Sequence, residues 1–149
     1  MCGRYYVDDE TAREIEKLVR DLDRKLQIER TGDVFPSQNA MILKGKENHL
    51  AAEQMKWGFP GVEKGKLLIN ARAESALERR TFQDSVQHRR CIIPAKGFYE
   101  WNKSKEKFSY ERKDAPVLFM AGCYSWYEDQ VRFVILTTAA NSSVAPVHN

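Results

Sequence analysis

The chain has 149 residues, 42% of them hydrophobic and 30% charged, which suits one globular domain with a genuine core. Its net charge of +3 permits a nucleic-acid partner without demanding one, and no run approaches the ~20 apolar residues of a membrane span. The N-terminus has no basic stretch followed by an apolar core, so no secretion signal is read. The three cysteines, Cys2, Cys91 and Cys123, are odd in number and far apart, which argues against a disulfide framework and for a reducing, cytoplasmic setting.

In chain order, DDETAREIEKLVRDLDRKLQIER predicts one amphipathic helix, with Ile15, Leu18, Val19, Leu22 and Leu26 at spacings of three and four. Thr11 and Glu14 stand at capping-box spacing, and Thr31-Gly32 closes the segment. The loop GDVFPSQ follows. Beyond it the pattern changes to short apolar runs: AMILK, HLAAEQMKWGF, KLLINARA, RCIIPAKGFYEW, KFSYERK, PVLFMAGCYSWY and QVRFVILTTAA. These are β-rich, and several pair as hairpins across NKSKEK and EDQ. TFQDSVQHRR predicts a short helix capped by Thr81, with Phe82 packed against Val86. There is no internal repeat and no linker to a second domain. The expected class is α+β, mostly antiparallel, without the strand–helix alternation of a doubly wound fold. TTAANSSVAPVHN ends without a cap or a closing strand, so the expectation is a domain whose C-terminal part is missing.

The chemistry starts at MCGRY. A small residue after the initiator allows removal of Met1, which leaves Cys2 with a free α-amine and a thiol two carbons apart. Ordinary pKa values of ~8 and ~8.5 keep both nucleophiles available near neutrality. The plain alternative is a small buried cysteine. No Walker loop, GxGxxG, CxxC or HExxH is present, and His49, His88 and His148 do not stand at metal-ligand spacing, so neither metal nor cofactor is expected. Asn70 ends the apolar run KLLIN. Glu100 lies between Tyr99 and Trp101, where desolvation favours the protonated carboxyl of a general acid, unless it is merely the outward residue of a strand. His148 follows a strand on a loop, where catalytic groups often sit. Cys2, Asn70, Glu100 and His148 thus make a candidate set of nucleophile, orienting amide, acid and base.

Arginine supplies a second pattern. Strand alternation puts Arg4 on the Cys2 face and Arg72 on the Asn70 face. Arg79, Arg80, Arg89 and Arg90 flank the short helix, and Trp57, Phe59, Phe98 and Trp101 lie near in sequence. Arginines with aromatic platforms suit a single-stranded nucleic acid, whereas buried tryptophans and solvated arginines would mean nothing of the kind.

MCGRY, WGF at 57–59, NARAES at 70–75, RRCIIPAKGFYEW at 89–101 and TTAAN…VHN stand in this order from Cys2 to the last residue. On these motifs the sequence resembles the SRAP (SOS-response-associated peptidase) domain family. The resemblance implies one α+β domain over 1–149 with a barrel-like, mostly antiparallel sheet and flanking helices. It implies single-stranded DNA containing abasic sites as partner, no membrane, a monomer, and nucleoid association in a bacterium. It implies a covalent adduct between mature Cys2 and the ring-opened aldehyde of an abasic site. The family's catalytic set falls on Cys2, Asn70, Glu100 and His148, and its DNA contacts on Arg4, Arg72, Trp57 and Pro36. One departure is Gly32-Asp33-Val34-Phe35-Pro36, where the family usually reads Tyr-Asn-x-Ala-Pro, so that Asp33 brings a negative charge toward DNA. The other is the absence of the arginine and further segment that follow the family's histidine. Two other functions fit the same residues: a cysteine peptidase that processes its own N-terminus, and a non-covalent single-strand binder.

Overall fold

The computed structural model describes residues 2–19 and 31–147. A short strand, β1 (Tyr5–Val7), leads into helix α1 (Asp9–Leu18), which buries Thr11, Ala12 and Ile15. The helix cap differs from the expected one. Asp8 is the N-cap, and its carboxylate accepts from the Thr11 backbone N–H at 2.8 Å and from the Thr11 hydroxyl at 2.6 Å. A carboxylate three residues before a free N–H satisfies that orphan donor directly, so Thr11 is the capped residue rather than the cap. The distal part of the predicted helix, with Leu22 and Leu26, lies outside the described residues. Gly32, at φ 116°, opens β2 (Gly32–Val34).

β3 (Asn39–Lys46) folds back on β4 (His49–Trp57) through Glu47 and Asn48, both at positive φ. The hairpin β5 (Phe59–Pro60) and β6 (Leu67–Leu68) follows, then β7 (Asn70–Arg72). Helix α2 (Arg80–His88) starts from Arg79 without a side-chain cap. Thr81 therefore lies inside the helix and does not cap it, while Phe82 packs into an apolar cluster with Val86 as expected. The remaining strands are β8 (Arg90–Ala95), β9 (Gly97–Trp101), β10 (Lys107–Glu111), β11 (Leu118–Tyr127) and β12 (Gln130–Thr137). Both hairpins expected from turn residues are present, β9–β10 across Asn102–Glu106 and β11–β12 across Glu128-Asp129.

The order β11-β8-β3-β4-β12, with β12 returning to β11, closes a five-stranded barrel. Its neighbours are antiparallel except β4–β12, which run parallel at Trp57↔Phe133. Closure removes sheet edges and creates one interior. Ile42, Met55, Trp57, Cys91, Ile93, Phe133 and Ile135 fill it, with the Trp57 and Phe133 rings stacked at 6.1 Å. A second sheet, β10-β9-β1-β2, covers one end, because Tyr5 and Cys2 belong to the barrel's core cluster. The strand β7 runs parallel beside the end of β12, pairing Asn70 with Ile135 and Arg72 with Thr137. The class is α+β with a mostly antiparallel barrel. Among the described residues no helix is long and apolar enough to cross a membrane.

Candidate active site

Where the second sheet meets β7 and the ends of β11 and β12, the surface folds into a cavity of about 490 Å³. Cys2, Arg72, Phe98, Glu100 and Met120 line it, and the segment from Thr137 to Val144 forms the opposite wall. Alternation along β9 turns Phe98 and Glu100 to the cavity and Tyr99 and Trp101 to the other face. On β7 it turns Asn70 and Arg72 to the same side, as their spacing predicted.

Cys2 is 6% exposed, and its thiol donates a weak hydrogen bond to the Arg4 carbonyl at 3.7 Å. Burial pushes this thiol up to about 12; a hydrogen bond from the Arg4 backbone opposes the shift, and the charge of Glu100 reinforces it. The Asn70 side-chain amide donates to the Cys2 carbonyl at 3.1 Å and so holds the N-terminal segment over the cavity. Its other atom, Oδ1, is buried without a partner among the described residues. Glu100 is 5% exposed, so the desolvated setting expected between two aromatic residues is present, and it is not an outward-facing strand residue. Arg72 is exposed at the rim, its Nε 3.5 Å from Glu74. Cys2, Asn70 and Glu100 are thereby brought together; His148 lies outside the described residues.

The aromatic and arginine expectations divide. Trp57 is fully buried between Tyr5 and Phe133, and its indole N–H donates to the Ile69 carbonyl at 3.0 Å. It is a core residue with no face free to stack on a base, which corrects its assignment as a DNA contact. Phe59 is buried as well. Arg4 does not follow the predicted alternation with Cys2, because the strand begins only at Tyr5. Its guanidinium lies against Phe35 and Trp101, on the face of β9 opposite Glu100. Pro36 is half-buried in a turn that the Gln38 side chain closes on the Phe35 N–H at 3.0 Å. Arg89 is structural: it bonds Asp84 and the Tyr124 carbonyl.

Sequence reasoning missed the far wall. Glu74 accepts from the Thr138 hydroxyl at 2.5 Å and from the Ala139 N–H at 3.2 Å, tying the Thr137–Asn141 segment to β7. The only trace in the sequence is that Glu74 falls within NARAES and Thr138 within TTAAN. Among the described residues no group of three or more His, Cys, Asp or Glu side chains is placed to hold a metal ion.

The profile of the family described as SOS response associated peptidase (SRAP) matches residues 1–149. "Abasic site processing protein YedK" of Escherichia coli (strain K12) is 30% identical over 161 residues, covering 100% of this chain and 72% of that protein. "Abasic site processing protein YoaM" of Bacillus subtilis (strain 168) is 30% identical over 168 residues, with the same coverage. A solved structure of a protein from Bacteroides thetaiotaomicron shares the fold at a TM-score of 0.80 and 22% identity, over 98% of this chain and 72% of that one. The match over every residue, together with relatives at this identity and coverage, places the chain in the SRAP family.

Proposed function

We propose that the chain processes abasic sites in single-stranded DNA by forming a covalent thiazolidine at Cys2. The observation that carries this reading is the meeting of Cys2 and Glu100, both buried, in one cavity with Arg72 at its rim. Family relatives named as abasic site processing proteins support the abasic-site part of this reading.

The chemistry follows from the groups present. Once Met1 is removed, the Cys2 α-amine attacks the aldehyde carbon of the ring-opened sugar to give a carbinolamine. Loss of water leaves an imine. The neighbouring thiol adds to the imine carbon, its proton passes to nitrogen, and a five-membered ring closes. Internal attack by a thiol already two carbons away has a high effective concentration. Glu100 is the group that moves the proton on the sugar oxygen during ring opening. His148 moves protons at the imine stage, and Asn70 fixes the Cys2 backbone. Arg72 takes a phosphate.

The raised thiol pKa supports this reading over a peptidase. A cysteine peptidase begins with a thiolate, and burial of Cys2 works against one. An amine-first reaction needs the thiol only after the imine exists. The test is to incubate the protein with a single-stranded oligonucleotide bearing one abasic site and look for a heat-stable shifted band. Cys2→Ala should abolish that band and leave binding to intact strands nearly unchanged. The crosslinked fraction should rise with the fraction of chains lacking Met1, measured by intact mass. Full crosslinking by a protein that retains Met1 would overturn the aminothiol mechanism.

A further inference from the structure

The setting of Arg4 contains more than a phosphate contact needs. Its guanidinium carbon lies 4.3 Å from the Phe35 ring centroid and 5.2 Å from that of Trp101. Its Nε is buried with no partner among the described residues. The Nη end is what remains for solvent, and there Nη1 stands 3.8 Å from Asp33 Oδ2. Asp33 is itself anchored, since its Oδ1 accepts from the Tyr99 hydroxyl at 3.1 Å. Both charged side chains are about one-third exposed, at 29% for Arg4 and 32% for Asp33. The carboxylate thus stands beside the end of Arg4 that an incoming phosphate must use.

We propose that Asp33 is a specificity-determining residue that competes with backbone phosphate for Arg4 and so weakens capture of intact single strands. The proposal rests on the reading of this chain as a single-strand DNA protein. A phosphate reaching the Nη atoms comes within several ångströms of Asp33. Repulsion between partly exposed like charges at that spacing is worth a factor of several in affinity at low salt, and it fades with screening. There is also a counterion argument. A free arginine that contacts a phosphate releases a condensed cation from the strand. Here the same event frees Asp33, which regains a counterion of its own, so the net release is near zero. The consequence is selectivity: strands without an aldehyde are held loosely and leave, whereas an abasic strand is retained by its covalent bond.

The test compares wild type, Asp33→Asn, Arg4→Ala and the double variant by fluorescence anisotropy, with an intact labelled oligodeoxythymidylate over a range of salt. Crosslinking to an abasic oligonucleotide is run in parallel. The Asp33→Asn change keeps an acceptor for Tyr99 and lies at the surface, so its Tm should match wild type. We expect about five-fold tighter binding at ~50 mM salt and a log–log salt slope steeper by about 0.7, one phosphate on a single strand. None of these gains should appear in the Arg4→Ala background. Unchanged affinity and slope in Asp33→Asn, while wild type still crosslinks, overturns the proposal and leaves the functional reading standing. A gain of equal size in the Arg4→Ala background also overturns it, because the effect would then belong to the field of the whole surface. A wild type that neither binds nor crosslinks removes both.

Discussion

At the scale of single residues, two side chains behave differently from what their types suggest. Cys2 is a terminal-segment cysteine, yet its thiol lies 6% exposed and burial pushes it up to about 12. Alkylation by iodoacetamide requires the thiolate. Its rate at Cys2, followed by peptide mass mapping, should therefore keep climbing about tenfold per pH unit beyond pH ~9, where an ordinary thiol of pKa ~8.5 levels off. A plateau near pH 8.5 would mean that the thiol is solvated and that the objection to a peptidase fails. Trp57 has the type of a nucleic-acid platform and the position of a core residue. Trp57→Ala should cost about 3–5 kcal/mol of stability through the cavity it leaves, seen as a large drop in Tm. A variant with unchanged Tm and selectively weakened DNA binding would restore its role as a stacking surface.

At the scale of elements, the site depends on how short strands are tied together. β7 has three residues and is held beside β12 by parallel pairing and by the Ala73 N–H bond to the Thr137 carbonyl at 2.7 Å. Glu74 adds the clamp on Thr138 and Ala139, and the hydroxyl bond from Thr138 is the main cause of its carboxyl being held below the usual range. Glu74→Ala should slow crosslinking by about tenfold or more, because displacement of a cavity wall spoils reacting geometry. Glu74 is exposed, so Tm should move little. Glu74→Gln keeps an acceptor for both donors and should recover most of the rate. Equal rates for wild type and Glu74→Ala in single-turnover crosslinking would show that the wall holds without the clamp. In β9 the constraint is close approach: a Cβ at Gly97 would lie 2.3 Å from the Tyr110 carbonyl oxygen. Gly97→Ala should therefore spread β9 from β10, lowering Tm and displacing Glu100, which sits on the same strand.

At the scale of the whole molecule, the barrel interior and its flanking cluster carry three buried thiols, and burial raises all of them: Cys2 and Cys91 to about 12, Cys123 to about 11. A group protonated in the folded state and ionised in the unfolded state stabilises the fold below its unfolded pKa. That contribution is lost as pH rises toward the folded pKa. The thiols therefore contribute fully below pH ~8.5 and lose up to roughly 1.4 kcal/mol per pH unit for each thiol above it. Tm should be nearly flat from pH ~6 to ~8 and fall steeply between pH ~9 and ~11. The fall should be shallower in Cys123→Ala, whose Tm starts lower because of the lost side chain. An alkaline slope identical in wild type and Cys123→Ala would mean that the thiols do not carry this linkage.

Several local elements were legible in the sequence because they depend on short-range rules. Period-2 apolar runs and turn residues located the β9–β10 and β11–β12 hairpins, and alternation put Asn70 and Arg72 on one side. The position of Cys2 directly after the initiator raises the aminothiol chemistry proposed above from the sequence alone. The caps of both helices were misread because several adjacent residues could accept the same orphan N–H, and geometry alone chose Asp8 and passed over Thr81. Closure of the barrel was implied by the family resemblance and by no local pattern, since the parallel pairing of β4 with β12 joins segments whose local patterns are the same as those of antiparallel partners. That closure decided which aromatic residues are core and which are surface, taking Trp57 inside and leaving Phe35 and Trp101 against Arg4. The pairing of β1 with β2 decided that Asp33 meets Arg4, and that of β7 with β12 decided that Glu74 meets Thr138. Contacts between side chains far apart in the chain arise from the packing of strands, and no local periodicity encodes them.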